Sequence, residues 1–534
     1  VADQVRDRLR TRLETLWLVP RLTVDAESLP ATEMLPLVYT RRIYQPVWSD
    51  DTGFYPRVEA LRKVLRAAEY EGFRAREYHL AKIDAMLAEF HRQQAAKEPL
   101  SPDRLADFDL LLTDAFLTYG MHALSGRINP QTLQASWFIQ SPEADLPAIL
   151  HGALATDRID EALQSLLPSQ PGYTRLRQAL AHYRAIATKG GWPLVPGGDK
   201  LLKGDQSARV AIVRARLRAS GDLAPGGRTD AELFDDLLDR AIRRFQRRHG
   251  LEPDGIVGPA TLAALNVPVE ARVWQIAANL ERWRWLPRSL GRRYVLVNIA
   301  NFTLEVIEDD RPVLSMRIIV GKPYQHTPVF SALMTSLVLN PSWYVPPSIA
   351  REEILPLLRR DPEYLAKQHI RVYRAQGAEW QELNPRAINW SQVSATHFPY
   401  RLRQVPGPKN PLGRIKFTLP NQFSIYLHDT SSPELFAQTV RTFSHGCIRI
   451  EKPIELAEYA LQGSVRWSRD SILAAIASGV EQTVAVPQPL PMYLLYWTAW
   501  VDADGVVHFR PDIYDRDTPL GKALYPAVAA LPRG

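Results

Sequence analysis

Hydrophobic periodicity changes once along this chain, near Val273, and that change limits the fold more than any other feature. Before it, apolar residues recur at three- and four-residue steps, as in Leu61-Val64-Leu65-Ala68 and Leu105-Phe108-Leu111-Leu112-Ala115-Phe116-Tyr119. That spacing gathers them on one face of a helix, which must be covered. After Val273, alternation and β-forming residues take over, and strands are expected over 294–299, 302–307, 313–320, 333–339 and 415–419. Asp309-Asp310 supplies the turn between the second and third of these. A multidomain α+β protein is expected, with a helical N-terminal region and a mostly-β C-terminal one. The 534 residues suit roughly three domains.

Proline and glycine divide it further. Gly190-Gly191-Trp192-Pro193 to Gly198 marks a boundary, and a compact segment follows. It has expected helices over 210–219 and 230–249 and turns at Asp254-Gly255 and Gly258-Pro259. The expected domains are 1–198, 199–266 and 267–534. Within the last, a polar and aromatic insertion over about 348–405 separates strands, a pattern typical of a lid. The tail over about 492–510 alternates like two strands joined at Asp502-Ala503-Asp504-Gly505, and is expected to add an edge to the sheet.

Composition narrows the partners. A net charge of +7 suggests an acidic one. The charge is spread out and lacks dense Lys/Arg runs with interleaved aromatics, which argues against nucleic acid and suits an anionic polymer. No apolar run reaches the ~18 residues that span a bilayer. Val1-Ala2-Asp3 opens directly into a charged helical pattern, so a mature or trimmed form is expected. His79, His91, His122, His151 and His182 are scattered and are expected to be structural or on the surface.

Cys447 is the single cysteine, which forbids an internal disulfide. It lies in Ser444-His445-Gly446-Cys447-Ile448-Arg449, with His428 19 positions upstream. Alone it would read as a small buried hydrophobe. Its neighbours favour chemistry, because an imidazole can draw off the thiol proton and leave the attacking thiolate. Residues 423–427 read as a strand ending at His428, 434–441 as a short helix, and the chain then returns to Cys447. That path would bring thiol and imidazole to one end of a sheet. N–H groups of Gly446 and Cys447 are candidates to stabilise an oxyanion. Asp429 neighbours His428 but points to the other face and is not expected to complete a triad; the sequence leaves the orienting partner of His428 open, and a main-chain carbonyl would serve. His428, His445 and Cys447 make an incomplete zinc set. Neither metal nor other cofactor is expected.

Ser-His-Gly-Cys-Ile-Arg with that upstream histidine resembles the signature of the L,D-transpeptidases, the YkuD-type catalytic domain. The pieces Gly204-Asp205, Phe245-Gln246, Gly250-Leu251, Asp254-Gly255 and Gly258…Thr261-Leu262 resemble the small three-helix peptidoglycan-binding module. Residues 1–198, with Tyr39…Trp48 and Ser125-Gly126-Arg127, are similar to the helical scaffold of the large Gram-negative members. The resemblance implies a periplasmic enzyme that joins third-position residues of peptidoglycan stem peptides. Cys447 would form a thioester and expel terminal D-alanine, with His428 as base and Gly446 at the oxyanion site. Tyr426, Ser444, His445, Arg449 and Trp343 are the candidate substrate contacts, and 348–405 the substrate cap. Implied partners are stem peptides and glycan strands, with other cell-wall synthesis proteins as further candidates and carbapenems as inhibitors. Hydrolysis, protein attachment to the wall, or an inert wall-binding scaffold are the alternatives left open.

Overall fold

The computed structural model describes residues 1–16, 21–133, 137–224, 230–377 and 379–525. It divides into two compact units. One comprises 1–135, 139–289 and 497–534, and the other 136–138 and 290–496.

The first unit is helical. Its long helix Pro102–Ser125 is buried almost continuously from Leu105 to Gly120, so even its polar positions lie inside. The polar groups there are satisfied. The Asp109 carboxylate accepts from the Tyr39 hydroxyl at 2.6 Å and from the Val47 and Trp48 N–H groups at 3.0 and 2.9 Å. Asp114 accepts from the Ala31 N–H at 2.8 Å and contacts His79 Nε2 at 3.0 Å, while His79 Nδ1 meets Glu27 at 2.6 Å. His79 is thus a structural residue, as expected of the scattered histidines.

The segment after Gly198 has a core of its own, built from Val210, Val213, Leu217, Leu238, Ile242, Phe245 and Leu265. Helices Ala208–Ala219, Asp236–Arg248 and Pro259–Leu265 supply it. The second helix starts at Asp236 rather than 230, because the Asp235 carboxylate caps it by accepting from the Leu238 N–H at 2.9 Å. Gln246 is buried, accepts from the Gly255 N–H at 2.9 Å and donates to Asp254 at 2.7 Å. Gly255 sits at φ +78°, so a side chain there would be strained.

The second unit is built on ten strands. They are β1 (Trp137–Phe138), β2 (Arg293–Asn298), β3 (Thr303–Glu308), β4 (Arg311–Gly321) and β5 (Val329–Leu339). β6 (Ile415–Thr418), β7 (Leu427–His428), β8 (Thr442–Ser444), β9 (Ile448–Ile450) and β10 (Gln482–Leu495) complete it. The pairings run β6-β7-β9-β4-β3-β2-β10-β5 and close again between β5 and β6. Closure removes the exposed edges an open sheet would leave. Asp309 and Asp310 turn the β3–β4 hairpin with φ of +47° and +61°.

Two expectations about the tail change. Residues 482–495 lie between β2 and β5, inside the sheet rather than at its edge. The turn at 502–505 joins a separate small hairpin, Ala499–Val501 with Val507–Phe509, which falls in the helical unit. The alternating stretch is cut by buried Thr498, whose N–H donates to Asn279 at 3.0 Å.

The insertion is a small folded body rather than a loop. Strands Trp343–Tyr344, Tyr400–Gln404, Ile370–Gln376 and Glu379–Leu383 form a sheet in that order. Ile354, Leu355, Leu358, Val372, Trp390 and Leu402 fill its core.

Candidate active site

Strand register decides what faces the thiol. On β6 and β7, Lys416 stands opposite His428 and Phe417 opposite Leu427. On β7 and β9, which run parallel, His428 stands opposite Arg449 and Leu427 opposite Ile448. Side chains alternate along a strand, so the two cross-strand rows point to opposite faces. Phe417, Leu427 and Ile448 are all fully buried and form the apolar face. Lys416, His428 and Arg449 form the polar one. Tyr426 and Cys447 each lie two positions before a member of that row and share its face, the chains being tied there by Ile448 N–H donating to Tyr426 O at 3.1 Å.

The loop into Cys447 is held by its own hydroxyls. Ser444 Oγ donates to the Cys447 carbonyl at 2.5 Å and accepts from the Gly446 N–H at 3.1 Å. Buried Thr327 donates to the Gly446 carbonyl at 2.8 Å. Gly446 has φ +113°, and a Cβ there would lie 3.3 Å from Ile425, so glycine is required for the turn. Its N–H, expected to face an oxyanion, is taken by Ser444. The Cys447 N–H makes no hydrogen bond among the described residues and remains the candidate donor. Ser444 thus braces the loop instead of facing substrate.

His428 is buried, and its Nδ1 donates to the main-chain carbonyl of Asp429 at 2.5 Å. A carbonyl can only accept, so Nδ1 carries the hydrogen and Nε2 keeps a lone pair. The Asp429 carboxylate lies on the other face, bound by the Arg414 N–H and Nε, each at 2.9 Å. Burial, then the charge of Arg449, push the His428 imidazole down to about 3, against the pull of the Asp429 and Pro411 carbonyls. It is neutral at physiological pH.

Cys447 is half-buried and free, and its Sγ hydrogen bond goes to the Ser424 carbonyl at 3.9 Å. Burial pushes the thiol up, while the Tyr426 N–H and phenol and the charges of Lys416 and Arg449 draw it down. The resting pair is therefore neutral thiol and neutral imidazole. They share a face without a mutual hydrogen bond, a common state before substrate arrives.

The other predicted residues are more dispersed. His445 Nε2 pairs with Glu353 of the insertion. Trp343 packs against the core of the insertion, so its contacts are those of a structural residue. Arg449 is half-buried with its Nε lacking a partner. Sequence reading missed Lys416, Asn421 and Ser424. Of the expected strand over 423–427 only Leu427 is paired as strand, because Asn421 Oδ1 accepts from the Phe423 and Ile425 N–H groups at 2.9 and 3.2 Å. Ser424, at φ +57°, presents its carbonyl to the thiol from that segment. Lys416, between apolar Ile415 and Phe417, has the pattern of a solvated strand position and gave no signal of its own.

Residues 292–468 match the model of the L,D-transpeptidase catalytic domain. The catalytic domain belongs to the L,D-transpeptidase family. Residues 206–265 match a "Putative peptidoglycan binding domain" and residues 34–180 a "Scaffold domain". A "Putative L,D-transpeptidase" of Haemophilus influenzae is 32% identical over 249 residues, 47% of this chain and 49% of that protein. The chain thus spans about half the length of that curated relative. The N-acetylmuramoyl-L-alanine amidase CwlM of Mycobacterium tuberculosis is 49% identical over 75 residues, 13% of this chain and 18% of the relative. The solved L,D-transpeptidase of Xylanimonas cellulosilytica aligns at 16% identity, over 56% of this chain and 99% of that one, with a TM-score of 0.17. Among the described residues, no helix is long and apolar enough to cross a membrane, and no cluster of metal-binding side chains occurs.

Proposed function

We propose that the protein is a cysteine-dependent L,D-transpeptidase that forms 3-3 crosslinks between peptidoglycan stem peptides. The observation that carries this reading is the single polar face holding Cys447, Tyr426, His428, Arg449 and Lys416. His428 Nε2 takes the thiol proton as Sγ attacks the carbonyl of the third stem residue. The nascent thiolate faces the Tyr426 N–H and phenol and two cations, and the nascent imidazolium is held by the Asp429 carbonyl. The Cys447 N–H stabilises the oxyanion, a role worth roughly 3 kcal/mol. The amide bond breaks, the leaving nitrogen of D-alanine takes the proton from His428, and a thioester remains. An amine of a second stem then attacks, its proton returning through His428 to sulfur.

The reading includes a periplasmic location, retention on the wall through residues 199–266, and acylation of Cys447 by carbapenems, whose strained carbonyl suits the same thiolate. Purified protein incubated with disaccharide-tetrapeptide and analysed by mass spectrometry tests it. Crosslinked dimer with loss of one D-alanine is expected. Tripeptide alone would mean hydrolysis, and unchanged substrate with a free thiol would mean an inert domain.

A further inference from the structure

One charge on the active-site face has no part in the scheme above beyond its field. Lys416 is half-buried, and its Nζ lies 4.1 Å from the centroid of the Tyr426 ring. It has no ion-pair or hydrogen-bond acceptor among the described residues. The carboxylate that acts on it through space, Glu481, is engaged elsewhere, with Arg403 at 3.2 Å and Ser342 Oγ at 2.7 Å. Three other lysines do pair with carboxylates, Lys82 with Asp25, Lys203 with Asp236 and Lys367 with Asp361, each within 2.7 Å. A sheltered ammonium without an acceptor is costly to keep charged, and burial does lower its proton affinity. Sheltered charge of this kind beside a nucleophile marks a place for a ligand anion.

We propose that Lys416 receives the terminal carboxylate of the residue expelled from the acyl donor. This rests on the transpeptidase reading and names the group that selects its donor. When Sγ attacks an amide whose leaving residue is the last one, that carboxylate lies only about one residue length, ~3.8 Å, beyond the scissile carbonyl. The ammonium stands over the ring whose phenol faces the sulfur, one side chain away from the attack. Arg449 lies on the far side of His428 in the row, and Glu434 already answers part of its charge. The covalent step is that given above: sulfur–carbon bond formed, carbon–nitrogen bond broken, and the thiol proton delivered through His428 to the leaving amine. Lys416 neither gains nor loses a proton in it. A donor extended by one residue, or ending in an amide, offers Lys416 a neutral group and is discriminated against.

Two measurements on the full chain test this. The first compares disaccharide-tetrapeptide with its C-terminal carboxamide. The native enzyme should favour the free acid by about 10- to 100-fold in kcat/KM, mainly through KM. Lys416→Met should bring the ratio near one, and Lys416→Arg should keep most of it. The second needs no transpeptidase activity. Cys447 is the single cysteine, so alkylation reports on it alone. The ratio of iodoacetate to iodoacetamide rates should fall several-fold in Lys416→Met and hold in Lys416→Arg, with thermal melts confirming that both fold. Equal slowing of both reagents, with the iodoacetamide pH profile of Lys416→Met moved upward, would make Lys416 a thiolate stabiliser and overturn the proposal. So would equal turnover of acid and amide by the native enzyme. A Lys416-dependent alkylation ratio without any turnover of the tetrapeptide would instead count against the transpeptidase reading and leave the carboxylate site standing.

Discussion

Asp109 and Asp114 on the helix Pro102–Ser125, and Lys416 and Arg449 beside Cys447, are all charged groups drawn away from water, yet their surroundings differ in kind. Each aspartate is closed off by donors: a tyrosine hydroxyl and two N–H groups on Asp109, an N–H and an imidazole on Asp114. Among the described residues, Lys416 and the Arg449 Nε have no acceptor, and the Cys447 N–H has none either. A buried polar group that is fully paired fixes one arrangement of the chain; one left unpaired costs stability and persists where a ligand completes it. The aspartates hold the helical unit together, and the cations wait for an anion.

The largest effects should fall on the unpaired side. Cys447→Ala should lower crosslinking by about 10⁴-fold or more while leaving the melting temperature within a few degrees, since a half-buried thiol adds little packing. His428→Ala should slow acylation by about 10²- to 10⁴-fold, measured before steady state. His445→Ala should cost under about 10-fold, because that ring pairs with Glu353 rather than with the thiol. A reversed ranking of the two histidines would move the base to His445 and break the assignment of the polar face.

On the paired side the sign of the experiment reverses. Asp109→Ala strands the N–H groups of Val47 and Trp48 in the interior and leaves the Tyr39 hydroxyl only Thr113, and should cost about 3 kcal/mol in urea unfolding. Activity per folded molecule should not change. Loss of specific activity with stability intact would show that the buried aspartates serve the site, and the comparison would fail.

The sequence displayed the chemistry more fully than the architecture. Cys447 and His428 follow from residue type and spacing, which are local, whereas the Asp429 carbonyl that orients His428 shows only in the fold. Closure of the sheet does not, because it depends on β10 entering between β2 and β5, a pairing of residues nearly two hundred positions apart. The turn after Asn421 was hidden because Phe423 to Leu427 alternates like a strand, while one side-chain amide captures the N–H groups a strand would have used. Lys416 was hidden for the opposite reason. A lysine alternating with apolar residues reads as a solvated position, and only the register with His428 shows what it faces.

The smallest effect tests the comparison through pH, with two buried histidines that should behave in opposite ways. Burial and Arg449 hold His428 at about 3, whereas a histidine in the unfolded chain titrates near 6.5. Between those values the unfolded state binds the extra proton, so the stability His428 supports is complete above about pH 6.5 and is lost as pH falls. The loss is about 1.4 kcal/mol for each unit below it. For His79, burial is outweighed by Asp114 and Glu27, and the imidazole titrates above its ordinary value. Its contribution is complete below about 6.5 and is lost as pH rises through the raised value. Urea unfolding at pH 5.5 and 8 should therefore show His79→Gln most damaging at the lower pH. His428→Gln should narrow the acid loss of the native protein by about 1 kcal/mol. If both substitutions shift stability equally at the two pH values, neither imidazole is held in the charge state its partners dictate, and the division between paired structure and unpaired site loses its electrostatic support.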